Sequence, residues 1–223
     1  MDVFWSTVPS FLLGARNTLL YCVISFPLAL AFGMLLALMY GSSVLWLRGP
    51  VRIFIEIIRG TPIVAQIFIV YYGLGALLAN LNPEWSIWIN SWTAGIVTLA
   101  LNYAAYEAEI YRAGFASVDR GQAEAALSLG LSRSQNFMRI QLPQAIPLMI
   151  PPFVNDFIYM LKDSAIVSLI AGTDLASVLN FFVRRNASSP LPFYLLAIVL
   201  YLVMSLPVSY LAKWLECRLR LVL

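Results

Sequence analysis

A run of apolar residues from 18 to 40 narrows most sharply what this chain can become. About 20 such residues are enough to cross the hydrocarbon core of a bilayer as a helix. Four more runs follow, at 63–79, at 93 to about 108, at 145–172 and at 193–214. The second is expected to begin earlier, near Ile53, and the fourth is long and interrupted by polar residues. Pro27, Pro62, Pro147, Pro151, Pro152 and Pro207 fall inside these segments. Membrane helices tolerate such breakers where neighbours satisfy the freed backbone groups. The pattern predicts an all-α integral membrane protein with about five transmembrane helices, forming one transmembrane domain over residues 1–223. Composition agrees, with 61% hydrophobic and only 11% charged residues, against about 25% charged in soluble domains. Residues 2–15 fit either an interfacial helix on the outer surface or an extension of helix one. They do not read as a cleavable signal peptide, because Met1-Asp2 brings no basic n-region.

The basic residues orient the chain. Arg48, Arg52 and Arg59 lie between spans one and two, Arg112, Arg120, Arg133 and Arg139 between three and four, and Lys213, Arg218 and Arg220 in the tail. Arg16, Arg184 and Arg185 occupy the opposite side. Short cytoplasmic loops collect Lys and Arg, so the N-terminus is expected outside and the C-terminus in the cytoplasm. Trp85, Trp88 and Trp92 crowd an outer loop, as an interfacial aromatic belt would. Cys22 and Cys217 are expected at opposite ends of the protein and unbridged. The chain has no histidine and no GxxxxGK[ST] loop, which removes a zincin site and a nucleotide-binding P-loop. The net charge of +3 is too small to suggest nucleic acid. No metal or cofactor site is expected in the chain itself.

The loop at 113–143 is the longest between two spans. Strong helix formers from Gln122 to Leu129 predict a short helix. Gly130 suits the position after its end, where positive φ is common. Ser132 can cap a second short helix and Pro143 can sit in the first turn of the fourth span.

Glu124, Ala125, Ala126, Gly130, Ile140, Leu142 and Pro143 match, with the right spacing, the EAA loop. On that loop the chain resembles the permease subunits of ATP-binding-cassette importers. Arg59-Gly60-Thr61-Pro62 with Gln66, the stretch from Ala105 to Gly114, and Asn155 with Met160 to Ser164 are similar to polar-amino-acid permeases of the histidine, glutamine and arginine type. The resemblance implies a type I importer permease fold in a bacterial cytoplasmic (inner) membrane. It implies a second permease chain, identical or homologous, two separate ATPase subunits that bind the ATP, and an extracytoplasmic amino-acid-binding protein. Glu124, Ala125, Ala126 and Gly130 would then form the coupling helix that docks on the ATPase.

Helix four carries Asn155, Asp156, Tyr159, Lys162 and Asp163 on one face, within an arc of roughly 120° at about 100° per residue. Ionisable groups in a membrane are costly and mark function by default. Asn155, Asp156, Tyr159 and Lys162 are the candidate substrate-binding residues, with a structural ion pair, Lys162 satisfied by Asp163 or by a neighbouring helix, as the alternative. Glu56 with Arg59, and Glu109 with Arg112, have helical pairing distance. Tyr103 and Tyr106 read as packing residues. The expected function is the translocation pathway of an importer for a basic or neutral polar amino acid, working by alternating access. The alternatives are a permease for another small solute or a non-transporting assembly or signalling subunit.

Overall fold

The structure, a computed structural model, describes residues 2–220. Its order is α1 (Asp2–Tyr40), α2 (Leu45–Gly60), α3 (Ile63–Phe68), a π turn (Ile69–Leu74), α4 (Gly75–Leu81), a 3-10 turn (Pro83–Trp88), α5 (Ser91–Ala116), α6 (Arg120–Ser128), α7 (Arg133–Asn136), a π turn (Phe137–Gln141), α8 (Leu142–Asp163), a 3-10 segment (Ser164–Ile170), α9 (Leu175–Arg185) and α10 (Leu191–Arg220). Three helical stretches are long and apolar enough to cross a membrane: Phe4–Tyr40, Ile63–Leu81 and Leu191–Arg218. A fourth, Arg133–Ile170 with Leu175–Arg185, bends by 55° at its break.

The remaining membrane-length helix, α5, is too polar to qualify on apolarity. Half of its 26 residues are buried, among them Thr98, Asn102 and Glu107. Its environment is the rest of the protein, which is why its sequence need not look like lipid. α1 packs along it through small residues, and a Cβ on Gly33 would lie 2.7 Å from Glu107 Cβ and 2.9 Å from the Ala104 carbonyl. Small residues let membrane helices approach closely and gain dispersion contacts. Tyr21, Leu99, Met160, Leu161 and Val167 centre one core where α1, α5 and the end of α8 meet. Leu36, Val51, Ile55, Ala105, Ala145 and Met149 form a second, which holds α2 and α8 against α1 and α5.

Several boundaries differ from the sequence reading. α1 is continuous from Asp2, so residues 2–15 extend the first span and do not lie flat as a separate helix. At about 1.5 Å per residue its 39 residues reach about 58 Å, well beyond the ~30 Å core. The overhang is used: Phe11 and Ala15 pack with Leu175, Phe193 and Ala197 in a third core. Helix two does not begin near Ile53. α2 is a separate amphipathic helix, and Thr61 (φ −122°, ψ 147°) and Pro62 are extended between it and α3. The residue before a proline is driven out of the helical region, so the break falls there. α5 runs two turns beyond residue 108, to Ala116. Trp92 is not a free belt residue, since its ring stacks on Tyr21 with centroids 4.2 Å apart. Pro143 is the second residue of α8, as expected, but the helix runs on from α7 through the π turn. Pro143 offers no N–H to the carbonyl of Arg139, and the wider turn absorbs that loss. Cys22 is buried and Cys217 exposed, both as free thiols.

Candidate functional site

The extended Thr61–Pro62 pair leaves the last carbonyls of α2 without helical partners. Two side chains take them. Thr61 Oγ1 donates to the Ile57 carbonyl at 2.8 Å. Gln66 Nε2 donates to the Ile58 carbonyl at 2.8 Å and to Thr61 Oγ1 at 3.0 Å. Gln66 Oε1 in turn accepts from Asn102 Nδ2 of α5 at 3.0 Å. This network, exposed at Thr61 and buried at Gln66 and Asn102, fixes the break against α5, and a π turn follows directly at Ile69–Leu74.

Opposite the break, α8 presents its polar face. A cavity of about 430 Å³ lies between the two, lined by Thr61, Pro62, Asn102, Tyr103, Tyr106, Asp156, Tyr159 and Asp163 among others. Tyr103 Oη donates to Asp163 Oδ2 at 2.8 Å. Asp156 and Asp163 are half-buried, whereas Tyr159 is open to the surface of the single chain. The lining holds two carboxyl groups and no Lys or Arg, so the cavity suits a ligand with a positive end and further polar atoms.

The structure divides the four candidate residues of helix four. Asp156 and Tyr159 line the cavity. Asn155 and Lys162 lie on the neighbouring exposed stripe of the same helix. Lys162 Nζ sits 5.3 Å from the centroid of the Tyr159 ring, and among the described residues it enters no ion pair. Asp163, its partner in the alternative reading, is held by Tyr103 instead. Sequence reasoning gave Tyr103 and Tyr106 packing roles, yet both line the cavity. Asn102 was not singled out at all. The available signal was its place in an otherwise apolar, Ala-rich run.

A second, charged cavity adjoins the first through the shared Tyr106. Glu109 holds Arg112 at 2.6 Å, the pairing expected from spacing. Glu56 does not pair with Arg59. It pairs with Arg52 at 2.8 Å, one turn earlier, and the bond holds the Arg52 guanidinium above its ordinary pKa. Arg59 reaches across to α5, 3.9 Å from Glu109 and 5.4 Å from the Tyr106 ring centroid.

The loop between α5 and α8 is built as its residues dictate. Asp119 caps α6 through the Gly121 N–H at 2.6 Å. Gly130 has φ +84°. Its N–H bonds the Leu127 carbonyl at 3.0 Å, and the Leu131 N–H bonds the Ala126 carbonyl at 3.1 Å. These two bonds make a Schellman end. Ser132 and Gln135 close a capping box on α7. Ala126 is buried, while Glu124, Ala125 and Gly130 face outward beside Leu129, which is 81% exposed.

A family model described as binding-protein-dependent transport system inner membrane component matches residues 29–221. The chain is 33% identical over 224 residues to the glutamine transport system permease protein GlnP of Escherichia coli, covering 99% of this chain and 97% of that protein. It is 40% identical over 177 residues to the octopine transport system permease protein OccM of Rhizobium radiobacter, covering 78% and 71%. Among solved structures, an amino acid ABC transporter crystallised with histidines shares 36% identity and a TM-score of 0.85, over 96% of this chain and 98% of that one. The inward-facing MetNI methionine ABC transporter, at 17% identity and a TM-score of 0.69, shares the fold.

Proposed function

Because the chain belongs to the family of binding-protein-dependent transport system inner membrane components, we propose that it forms the translocation pathway for a polar amino acid, basic or neutral. The observation that carries this reading is the polar cavity at the α2–α3 break, where Asp156 and Asp163 face tyrosines and Asn102. Every amino acid brings an α-ammonium, and a carboxylate in a site of low polarity is strongly disfavoured unless a cation meets it. Relatives named for glutamine and octopine support the substrate class.

The reading extends to partners. Energy comes from ATP hydrolysed on a separate ATP-binding-cassette subunit, and this chain is not itself the enzyme. The exposed Glu124, Ala125 and Gly130 of the α6 turn, backed by buried Ala126, form the coupling surface. A second permease chain, identical or homologous, completes the pathway, and an extracytoplasmic binding protein delivers the amino acid. Alternating access requires the substrate to be held differently in the outward and inward states. Asp156 and Tyr159 are the primary contacts, and Asn155 and Lys162, on the adjoining exposed stripe, serve the partner-facing side of the pathway.

The test is ATP-driven uptake of radiolabelled L-glutamine and L-arginine into vesicles holding the complete complex with its binding protein. Asp156→Asn, which preserves volume and removes the charge, is expected to lower uptake about tenfold or more, the scale of one lost charge-assisted contact. Unchanged uptake with normal assembly would remove Asp156 from the site.

A further inference from the structure

An amino acid has two charged ends, and the cavity at Asp156 serves only one of them. Its ionisable acids, Asp156 and Asp163, answer the α-ammonium, and no cation is part of that lining. The α-carboxylate would find hydroxyl and amide donors there, and no charge opposite to its own. The cation missing from this cavity stands in the adjoining one. Tyr106 is the common wall: it lines the cavity with Asp156 on one side and the cavity with Arg59 on the other. Arg59 lies in the last turn of α2, two residues before the cavity-lining Thr61.

The bonding of Arg59 leaves it available. Glu109, the nearby acid, already takes two short bonds from Arg112, at 2.6 and 2.9 Å. Arg59 Nη1 reaches it only at 3.9 Å, with 43% of its own side chain exposed. It rests on the Tyr106 ring at 5.4 Å, a contact that orients the guanidinium without using up its N–H donors. Arg52, a second candidate on the same helix, is committed to Glu56 at 2.8 Å. A planar guanidinium with free N–H groups at the edge of a cavity is the group best shaped for a carboxylate.

We propose that Arg59 reads the α-carboxylate of the transported amino acid at the α2 end of the polar cavity, while Asp156 holds the α-ammonium. The chain then recognises the backbone of an amino acid from both ends and leaves the side chain to Tyr103, Tyr106 and Tyr159. Arg59 becomes a specificity-determining residue, which separates amino acids from amines and amino-acid amides of the same size. This rests on the amino-acid reading above.

The experiment measures binding to the complete permease–ATPase complex in nanodiscs without the binding protein, because that protein would impose its own selectivity. The probes are L-glutamine, L-arginine and their α-carboxamides, which keep the ammonium and lose the carboxylate charge. The unaltered complex is expected to favour at least one acid over its amide about tenfold or more. Arg59→Gln is expected to bring that ratio close to one while amide binding stays put. Arg59→Lys should keep part of it, and Glu109→Gln should keep all of it. Equal loss of acid and amide binding in Arg59→Gln would mean that Arg59 only tethers α2 to α5, and would overturn the inference. Should Arg59→Gln fail to assemble, Arg59→Lys decides: a reduced ratio supports the inference and an unchanged one overturns it. An unaltered complex that binds acid and amide equally defeats the role of Arg59 and leaves the amino-acid reading standing. One that binds none of the four probes defeats both.

Discussion

Gly33 and Glu107 sit against each other where α1 crosses α5, and their contact sets a local limit on substitution. A Cβ on Gly33 would come within 3.0 Å of both the Glu107 side chain and the Ala104 carbonyl, and a carbonyl in a helix cannot step aside. Gly33→Ala must therefore push the helices apart, at a cost of about 1–3 kcal/mol for overpacking. It should lower the melting temperature of the purified complex. Gly60, the last residue of α2, has nothing within 4 Å of its Cβ position. Gly60→Ala should be neutral or slightly stabilising, since alanine is favoured over glycine within a helix by about 1 kcal/mol. Equal melting temperatures for both variants would mean that α1 and α5 do not touch this closely. At this scale the sequence disclosed what one helix can disclose. Asp156, Tyr159 and Asp163 could be grouped because they share a face of α8. Asn102, Tyr103 and Tyr106 join them only through the packing of α5 on α8. A spacing rule applied to one segment at a time carries no signal for that meeting. The Arg59–Glu56 expectation failed for a related reason. Spacing offered Glu56 two arginines, Arg52 and Arg59, and the α2–α5 contact drew Arg59 to the far side.

Among elements, the α6 turn was legible almost to the residue, because caps and glycine ends are local chemistry. Its Schellman end needs Gly130 at φ +84°, where an L side chain meets a steric penalty of about 1–2 kcal/mol. Gly130→Ala should loosen that end without disturbing the spans. The surface that α6 offers depends on the small, exposed Ala125 beside Leu129. Ala125→Trp should leave the chain in the membrane at normal yield and weaken its hold on the ATPase subunit, measured by co-purification. Transport should fall more than expression in both variants. Full transport in Ala125→Trp would take α6 out of the coupling contact. The break between α2 and α3 was harder to read. Hydrophobic residues continue through Ile53 to Ile58 and again from Ile63, so a continuous helix suits the pattern. What decides against it is the conformational cost before Pro62, together with the capacity of Gln66 to hold the freed carbonyls. α5 was cut short for the opposite reason. Its last two turns carry the charges of Glu109 and Arg112 yet remain helical, because the Glu109–Arg112 pair and the second core support them.

The whole molecule is polarised. Arg48, Arg52, Arg59, Arg112, Arg120, Arg133, Arg139, Lys213, Arg218 and Arg220 occupy the loops, helix ends and tail assigned to one side, against Arg16, Arg184 and Arg185 on the other. The helical path is compatible with that division. α6 and α7 lie between α5 and α8, and α9 lies beyond the far end of α8, beside the N-terminal part of α1, where Asn17 Nδ2 bonds the Thr173 carbonyl at 2.8 Å. A positive excess of this kind predicts α6 and the end of α10 in the cytoplasm and α9 outside. The cysteines supply the means to check it. Cys22 is 0% exposed and should stay silent, whereas Cys217 is exposed and reports on its own side. A membrane-impermeant maleimide should label Cys217 in inverted vesicles and not in right-side-out ones. In a Cys217→Ser background, Ala187→Cys, at the exposed turn after α9, should label only from the outside, and Ser134→Cys, at the surface of α7, only from the inside. The opposite pattern at all three positions would invert the protein, and would move α6 away from any cytoplasmic ATPase. Labelling of Ala187→Cys and Ser134→Cys from the same side would mean that α8 does not cross the bilayer.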